Sequence, residues 1–207
     1  MRKYLAPAAL VLATLALGPV VAQDAPPLPG APDPARVQAG TYAVDPEHTQ
    51  VAFTVNHLGF SNYVGLFGSA TGSMTIDPAH PEKASLSVEI PVKEMYTTST
   101  ELNEHVHGPD FLDIAQFPTA KFESTSIKVD GTTAEITGNL TLHGVTKPVT
   151  LDAEFTGAGI QPMSKKLNIG FSGATAIKRS DFGIDKYIPL VSDNVGLSIV
   201  IAFEKQG

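Results

Sequence analysis

The chain of 207 residues carries a formal net charge of −7, with 14 Lys and Arg against 21 Asp and Glu. This acidic balance disfavours nucleic acids and anionic membrane surfaces as partners. Cysteine and tryptophan are absent and ten phenylalanines are present, which predicts an aliphatic, phenylalanine-rich core that holds the fold without disulfides.

The N-terminus has the pattern of a secretory signal peptide. Arg2 and Lys3 precede an apolar run over residues 5–17, and small residues follow at a cleavage point. The run is too short and wrongly flanked for a stable membrane anchor, so we expect residues 1–22 to be removed on export. Because no cysteine follows the apolar run, we expect no lipid anchor and a periplasmic mature chain.

Residues 23–40 are rich in Ala and Pro. Such a composition predicts an extended, semi-rigid linker without a core of its own. The remaining residues, 41–207, are enough for one domain with a single core.

Strand signals recur along this domain as period-two alternations of apolar and polar residues. The predicted strands are 49–57, 66–76, 84–90, 121–129, 135–142, 149–155, 166–177 and 194–203. Three glycines, Gly65, Gly68 and Gly72, accompany the second strand and indicate that it is bent or bulged. Short connections favour antiparallel pairing.

One segment interrupts the strands. Residues 98–101, Thr-Ser-Thr-Glu, have the form of a capping box followed by a helical run toward Val106. A second short helical turn is predicted over residues 110–115. The sequence therefore predicts a helical crossover between two strands.

We expect this crossover, residues 94–118, to cover one opening of the sheet rather than to lie in its wall. Phe111 and Leu112 would plug apolar space there. Asp110 would cap the short helical turn by accepting backbone N–H bonds.

The predicted fold is all-β: an eight-stranded antiparallel, lipocalin-like barrel with a short helical crossover segment. A closed barrel is favoured over a sandwich because it leaves no edge strand exposed. The interior of such a barrel is either filled by side chains or holds one small ligand. The apolar positions predicted to face inward are Val51, Phe53, Val55, Leu86, Val88, Ile90, Leu140, Leu142, Leu167, Ile169, Phe171, Leu197, Ile199 and Ile201.

The chain contains no zinc pattern, phosphate loop, dinucleotide fingerprint or nucleophile elbow. We therefore expect no catalytic residue, no resident cofactor and no metal, and the barrel interior becomes the candidate site. An alternative hypothesis is a metal-binding or enzymatic barrel that uses His57, His105 and His107.

His57 and Arg179 are the candidate residues for contact with a ligand head group. His57 continues an apolar strand face, so it lies either at the mouth of a cavity or at a strand end where the backbone satisfies it. Arg179 suits a phosphate or a carboxylate, but Asp181 is close enough in sequence to pair with it instead. The residues leave both alternatives open.

Four motifs resemble those of the YceI family of exported polyisoprenoid-binding proteins. They are Phe-Thr-Val-Asn-His-Leu-Gly-Phe at 53–60, His-Gly-Pro-Asp-Phe-Leu-Asp-Ile-Ala-Gln-Phe-Pro at 107–118, Gly-Asn-Leu-Thr-Leu-His-Gly-Val-Thr-Lys-Pro-Val-Thr-Leu at 138–151, and Lys-Arg-Ser-Asp-Phe-Gly at 178–183. The resemblance implies a lipocalin-like barrel whose lumen holds a long isoprenoid chain, such as a polyprenyl phosphate or a quinone tail. One departure is that His105 and His107 both match the single histidine that the family places before the Asp-Phe-Leu segment.

The leading hypothesis is an exported, non-enzymatic lipid-binding barrel for transport or storage, with transient membrane contact and either a monomeric or a homodimeric state. The expected ligand-binding residues are Phe53, Val55, His57, Phe60, Phe67, His107, Phe111, Leu142, Phe171, Arg179 and Phe182. A third hypothesis is a structural or stress-response module whose lumen is filled by phenylalanines.

Overall fold

The computed structural model describes residues 27–207, so the predicted signal peptide lies outside the described residues. The strands are β1 Gly40–Val44, β2 Gln50–His57, β3 Ser61–Phe67, β4 Thr71–Ile76, β5 Ser85–Pro91, β6 Met95–Tyr96, β7 Thr119–Asp130, β8 Thr133–Leu142, β9 Val145–Ile160, β10 Leu167–Lys178 and β11 Asn194–Lys205. One α-helix, α1 Thr100–His107, is described, with short 3₁₀ helices at Pro34–Arg36, Pro81–Lys83, Val92–Glu94 and Arg179–Phe182. In the part of the chain from residue 27 onward, no helix has the length and apolar character needed to span a membrane.

The strands close into an antiparallel barrel with the order β1-β4-β5-β7-β8-β9-β10-β11, and β11 returns to β1. Strand β11 pairs with β1 near one end, where Val44 lies opposite Phe203, and with β2 near the other, where Phe53 lies opposite Leu197. Strand β2 is followed in the sheet by β3 and β6, just as β1 is followed by β4 and β5. Each of the pairs β1/β2, β3/β4 and β5/β6 therefore occupies a single strand position, and the barrel wall has eight positions. The predicted eight-stranded barrel is confirmed.

The bend predicted around residues 66–76 is a break between two strands. Strand β3 ends at Phe67 and β4 begins at Thr71, with Gly68 in the gap. Gly65 has a different role, because a Cβ at this position would lie 2.3 Å from the ring of Phe53 on the paired strand. The glycine thus makes room for an inward-facing aromatic ring.

The predicted inward positions all lie in the interior, where each either lines a cavity or packs in the buried core. At one end of the barrel, Tyr42, Ile169 and Phe203 are almost fully buried and form the centre of a closed core. The strand registers predicted from alternation are therefore correct, since a slip of one residue would have turned a whole set outward.

The crossover covers the opposite end of the barrel as predicted, although its details differ. The N-cap of α1 is Ser99, whose Oγ accepts from the backbone N–H of Leu102 at 3.2 Å, and not Thr98. Residues 110–115 form turns instead of a helix. Among the described residues, the Asp110 carboxylate accepts no backbone N–H bond and instead lies 3.6 Å from Nζ of Lys186.

The part of the predicted linker that the structure describes, residues 27–40, has no buried core of its own but packs against the barrel. Residues 29–38, which we call the strap, run along β9 and are anchored to it by two backbone hydrogen bonds between Ala31 and Ala158, at 3.1 and 2.9 Å. Pro34 and Val37 reach the interior at this end of the barrel. The strap closes the barrel from below, opposite the crossover.

Candidate ligand-binding site

The barrel interior contains an apolar cavity in two lobes. The lobe beneath the crossover, the mouth lobe, has a volume of about 790 Å³. The lobe above the strap, the strap lobe, has a volume of about 400 Å³. Val51, Ile90, Leu140 and Leu197 line both lobes, and we call the place where the lobes adjoin at these residues the neck. Each volume lies in the range of about 300–1,000 Å³ that is usual for ligand pockets.

The walls of the mouth lobe come from alternating residues of neighbouring strands. Strand β2 contributes Phe53 and Val55, β3 contributes Phe67, and β8 contributes Leu142. Every second residue of a strand points to the same face, so these apolar side chains meet in the lumen. The cavity contradicts the hypothesis of a fully packed module, because phenylalanines line the lumen without filling it.

Apart from Arg179 and Tyr187, the polar side chains of the mouth lobe gather at its outer end. These side chains are His57, Ser61, Tyr63, Thr97 and His105. The Tyr63 hydroxyl lies 3.1 Å from Oγ1 of Thr98, and hydrogen bonds with the Thr98 and Thr97 hydroxyls lower the pKa of Tyr63. The mouth therefore offers hydrogen-bonding side chains to the polar end of a ligand.

Arg179 lies beneath this polar ring and is only 5% exposed. Its Nε donates to the carbonyl of Ser192, its Nη1 to that of Ile184 and its Nη2 to that of Val191, each at 2.9 Å. The predicted partner Asp181 forms no ion pair with Arg179 within the described residues. Arg179 therefore fixes the loop that precedes β11, which forms one side of the mouth.

Burial is the largest influence on the pKa of the Arg179 guanidinium. Desolvation lowers the pKa of Arg179, and the carboxylates of Asp193 and Asp185 oppose that effect. The guanidinium carbon also lies 5.9 Å from the ring centroid of Phe111, which adds a cation–π contact. The mouth thus contains a buried positive charge that the protein holds mainly through backbone dipoles.

Phe111 is the aromatic centre of the cover over the mouth. Its ring packs edge-on against His105, with 5.1 Å between centroids, and is stacked on Tyr187 at 6.0 Å. Leu112 beside it is buried against Val92 and Met95. The crossover and the loop before β11 therefore meet through aromatic contacts above the cavity.

The structure brings together most of the expected site residues. Phe53, Val55, His57, Phe67, Phe111, Leu142 and Arg179 line the mouth lobe, and Phe171 lines the strap lobe. Phe60, His107 and Phe182 line neither lobe.

Each of these three residues is displaced by a local turn. Phe60 is 87% exposed because the chain reverses at Leu58 and Gly59, both with positive φ, which points the ring away from the lumen. Phe182 ends a 3₁₀ turn and is buried in a hydrophobic cluster with Ile177 and Val195, so its ring packs in the core and does not line the cavity. His107 ends α1, and its Nε2 is buried without a hydrogen-bond partner among the described residues.

Sequence reasoning missed the loop before β11 as part of the site. Ile184, Tyr187, Leu190 and Val191 of this loop line the mouth lobe. Their apolar cluster is visible in the sequence, but it has neither strand nor helix periodicity. Tertiary contacts place it over the cavity, among them the hydrogen bonds from Arg179 and the bond from the Leu58 N–H to the Leu190 carbonyl.

The histidines of the metal hypothesis do not converge. In residues 27–207, no group of three His, Cys, Asp or Glu side chains has an arrangement that could hold a metal ion. His57 lies at the mouth, His105 packs on Phe111, and His107 lies at the end of α1.

A closed antiparallel barrel with an apolar lumen and a polar mouth defines the class of lipocalin-like barrels. The chain belongs to the YceI family, because the model of the YceI-like domain matches residues 42–203. A UPF0312 protein of Pseudomonas fluorescens is 38% identical over 207 residues, covering 96% of each chain. Another, from Pseudomonas savastanoi, is 37% identical over 187 residues, or 89% of this chain and 88% of the relative.

Solved structures share the same barrel. Burkholderia cenocepacia BcnA superposes with a TM-score of 0.69 and 25% identity, over 77% of this chain and 98% of that one. A Campylobacter jejuni YCEI protein superposes with a TM-score of 0.65 and 30% identity, over 73% of this chain and 90% of that one. A polyisoprenoid binding domain from Saccharophagus degradans superposes with a TM-score of 0.62 and 16% identity, over 80% of this chain and 98% of that one. This likeness establishes a common fold.

Proposed function

We propose that this protein is a non-enzymatic carrier that holds a long isoprenoid lipid, a polyprenyl phosphate or a quinone tail, in the barrel lumen for transport or storage. The observation that carries the proposal is the apolar cavity of about 790 Å³ that adjoins a second apolar lobe at the neck. A long hydrocarbon chain gains about 0.8 kcal/mol for each carbon that leaves water. A two-lobed apolar lumen suits an extended chain better than a compact ligand.

The placement of polar groups supports one orientation of this ligand. Hydrogen-bonding side chains lie at the mouth, whereas the neck and the strap lobe are lined mainly by hydrocarbon. The isoprenoid tail therefore enters first, and the head group stays near Tyr63, Thr97 and His57. Membership of the YceI family and the polyisoprenoid binding domain with the same fold support the choice of ligand class.

Lipid extraction from the purified protein, followed by mass spectrometry, tests the proposal. We expect a co-purified isoprenoid, or uptake of an added polyprenyl or quinone lipid at about one molecule per chain. Repeated recovery of empty protein that takes up no added lipid would overturn the proposal.

A variant at the neck makes the test specific to the lumen. Val51→Phe adds bulk where the two lobes meet, so it should reduce the uptake of long chains more than that of short ones. The matched control is Val200→Phe, because Val200 is exposed on the outer face of β11. Equal uptake by both variants would show that the chain does not pass the neck.

We further propose that the protein acts in the periplasm after cleavage at residue 22, as the charged and apolar N-terminal pattern indicates. Cell fractionation and mass measurement of the purified chain test this location. A cytoplasmic chain that retains residues 1–22 would contradict it.

A further inference from the structure

The mouth of the cavity is bordered by two uncharged segments that we call the rim. The rim consists of residues 57–61, between β2 and β3, and residues 187–192, before β11. Neither segment contains Asp, Glu, Lys or Arg, although these residues make up 17% of the chain. Backbone hydrogen bonds join the segments, since the Leu58 N–H donates to the Leu190 carbonyl at 2.7 Å. The rim is therefore one preformed surface.

This surface exposes large apolar side chains. Phe60 is 87% exposed at the tip of the β2–β3 turn, and Leu190 is 58% exposed in the facing segment. Leu58, Tyr187 and Leu190 also line the mouth lobe. Apolar surface therefore runs from the interior of the cavity to the outside of the molecule, and exposed patches of this kind mark interaction sites.

We propose that the rim docks on a lipid bilayer, with Phe60, Ile188 and Leu190 inserted and the mouth of the cavity facing the membrane. A protruding phenylalanine at the tip of a turn fits a soft hydrocarbon phase, whereas a protein partner would need a matching pocket. Tyr187 adds a ring with a polar hydroxyl, a combination suited to the boundary between lipid and water.

The charges around the rim favour insertion over electrostatic attraction. The neighbouring Lys186 is paired with Asp110 at 3.6 Å, so its charge is partly neutralised. The whole chain is acidic, with a formal charge of −7. Binding should therefore occur on zwitterionic lipid, depend on apolar contact, and show little sensitivity to salt.

Docking in this orientation gives the cavity a dry route of exchange. A hydrocarbon chain that leaves the bilayer past the side chains of Leu58 and Leu190 reaches the mouth lobe along apolar surface. The exchange of lipid along this route rests on the proposed carrier function, but the docking of the rim on a bilayer is measurable without any ligand.

A tryptophan probe provides the first experiment, because the chain has no tryptophan of its own. In Phe60→Trp, we expect the emission to shift to shorter wavelength with phosphatidylcholine vesicles and to be quenched by lipids brominated on their acyl chains. The matched control is Met163→Trp, since Met163 is 86% exposed in the turn between β9 and β10 at the other end of the barrel. An unchanged Phe60→Trp spectrum, or an equal change in both variants, would overturn the proposal.

Vesicle flotation provides the second experiment. The variant Phe60→Ser with Ile188→Ser changes rim residues that do not line the cavity. It should float on the order of tenfold less protein than wild type, because two inserted side chains are lost. Met163→Ser should float as wild type, and salt at about 0.5 M, which screens charges, should change neither result. Binding that needs anionic lipid and disappears in salt would contradict insertion.

Two further measurements separate the remaining outcomes. Isoprenoid uptake from detergent, without vesicles, should be the same for wild type and the rim variant. If wild type takes up no lipid yet floats, the carrier function fails and the docking stands. If sedimentation shows that the rim variant converts a dimer to a monomer while wild type does not float, the rim is an interface between two copies and the proposal is wrong.

Discussion

Arg179 is the residue on which the shape of the mouth depends most directly. Its guanidinium donates to three backbone carbonyls of the 184–192 loop. Hydrogen bonds to a charged group contribute about 1.5–3 kcal/mol each, and the carbonyls left behind by a truncation would be unsatisfied. We therefore expect Arg179→Ala to lower the free energy of unfolding by about 3 kcal/mol or more, measured by urea denaturation.

The control for this change is Lys178→Ala, because Lys178 is exposed. The free energy of unfolding of this variant should lie within about 0.5 kcal/mol of the wild-type value. Arg179→Lys should rescue little, since a single ammonium group does not reproduce the geometry of the planar guanidinium fork. Wild-type stability of Arg179→Ala, combined with selective loss of polyprenyl phosphate over quinone binding, would instead assign Arg179 to the head group.

Phe111 contributes to the cover of the mouth through half-buried contacts. It packs against His105, Tyr187 and the Arg179 guanidinium. A fully buried phenylalanine costs about 3–5 kcal/mol on truncation to alanine, so we expect about 1–2 kcal/mol for Phe111→Ala in thermal or urea unfolding. Phe60→Ala, at an exposed position, should change stability by less than about 0.5 kcal/mol. Equal losses for the two variants would mean that the cover is open in solution.

Asp193 is the group through which we expect acid to destabilise the side of the mouth that contains Ser180. Its carboxylate accepts from the backbone N–H and the hydroxyl of Ser180, at 2.9 and 2.8 Å, and these bonds lower the pKa of Asp193 below its ordinary value of 3.8. Because the folded-state pKa is the lower one, the stabilisation is complete above the unfolded-state pKa. It is lost as the pH falls through the folded-state pKa.

We therefore expect the unfolding temperature of wild type to fall below about pH 4, and Asp193→Asn to show a smaller drop over the same range. Asp130→Asn, in the β7–β8 turn, is the matched control and should follow wild type. A wild-type profile for Asp193→Asn would show that the Ser180 contacts do not contribute to stability.

At the scale of elements, the strap depends on glycines of the strand beneath it. A Cβ at Gly159 would lie 2.0 Å from the carbonyl oxygen of Pro29. Gly159→Ala should therefore detach the strap, open the strap lobe to solvent and speed proteolysis near Ala31, as limited digestion would show. Gly196→Ala is the control, because its Cβ would meet only Thr54 at 4.0 Å. An unchanged digestion pattern for Gly159→Ala would mean that the strap adjusts without leaving β9.

The strap also shows where sequence reasoning ends. The alternation of apolar residues predicted most strands and the interior-facing side chains, because strand periodicity is a local property. The docking of residues 29–38 depends on space above Gly157 and Gly159, more than a hundred residues away in the chain. The same reason explains why the loop before β11 was not predicted at the mouth, since Arg179 places it through tertiary hydrogen bonds.

At the scale of the whole molecule, the proposed carrier function depends on a balance between two apolar environments. The lumen and the interior of a bilayer both remove an isoprenoid from water, so the gain of about 0.8 kcal/mol per carbon applies to each of them. The difference between the two environments is therefore small, and reversible loading is expected without any catalytic step. Two smaller terms decide which environment the isoprenoid prefers. They are the polar contacts at the mouth and the strain of bending the chain through the neck.

This balance predicts how a loaded protein behaves beside membranes. Vesicles added in increasing amounts should withdraw the ligand gradually, with a partition between lumen and bilayer within about tenfold of even, or about 1.4 kcal/mol. Mass spectrometry of the protein and vesicle fractions after flotation measures this partition. Val51→Phe should move it toward the vesicles, because the narrowed neck holds less of the chain, whereas Val200→Phe should leave it unchanged. Ligand that stays with the protein at a large excess of lipid would mean that specific contacts, and not the apolar lumen alone, dominate binding. In that case the protein would store its lipid and not exchange it.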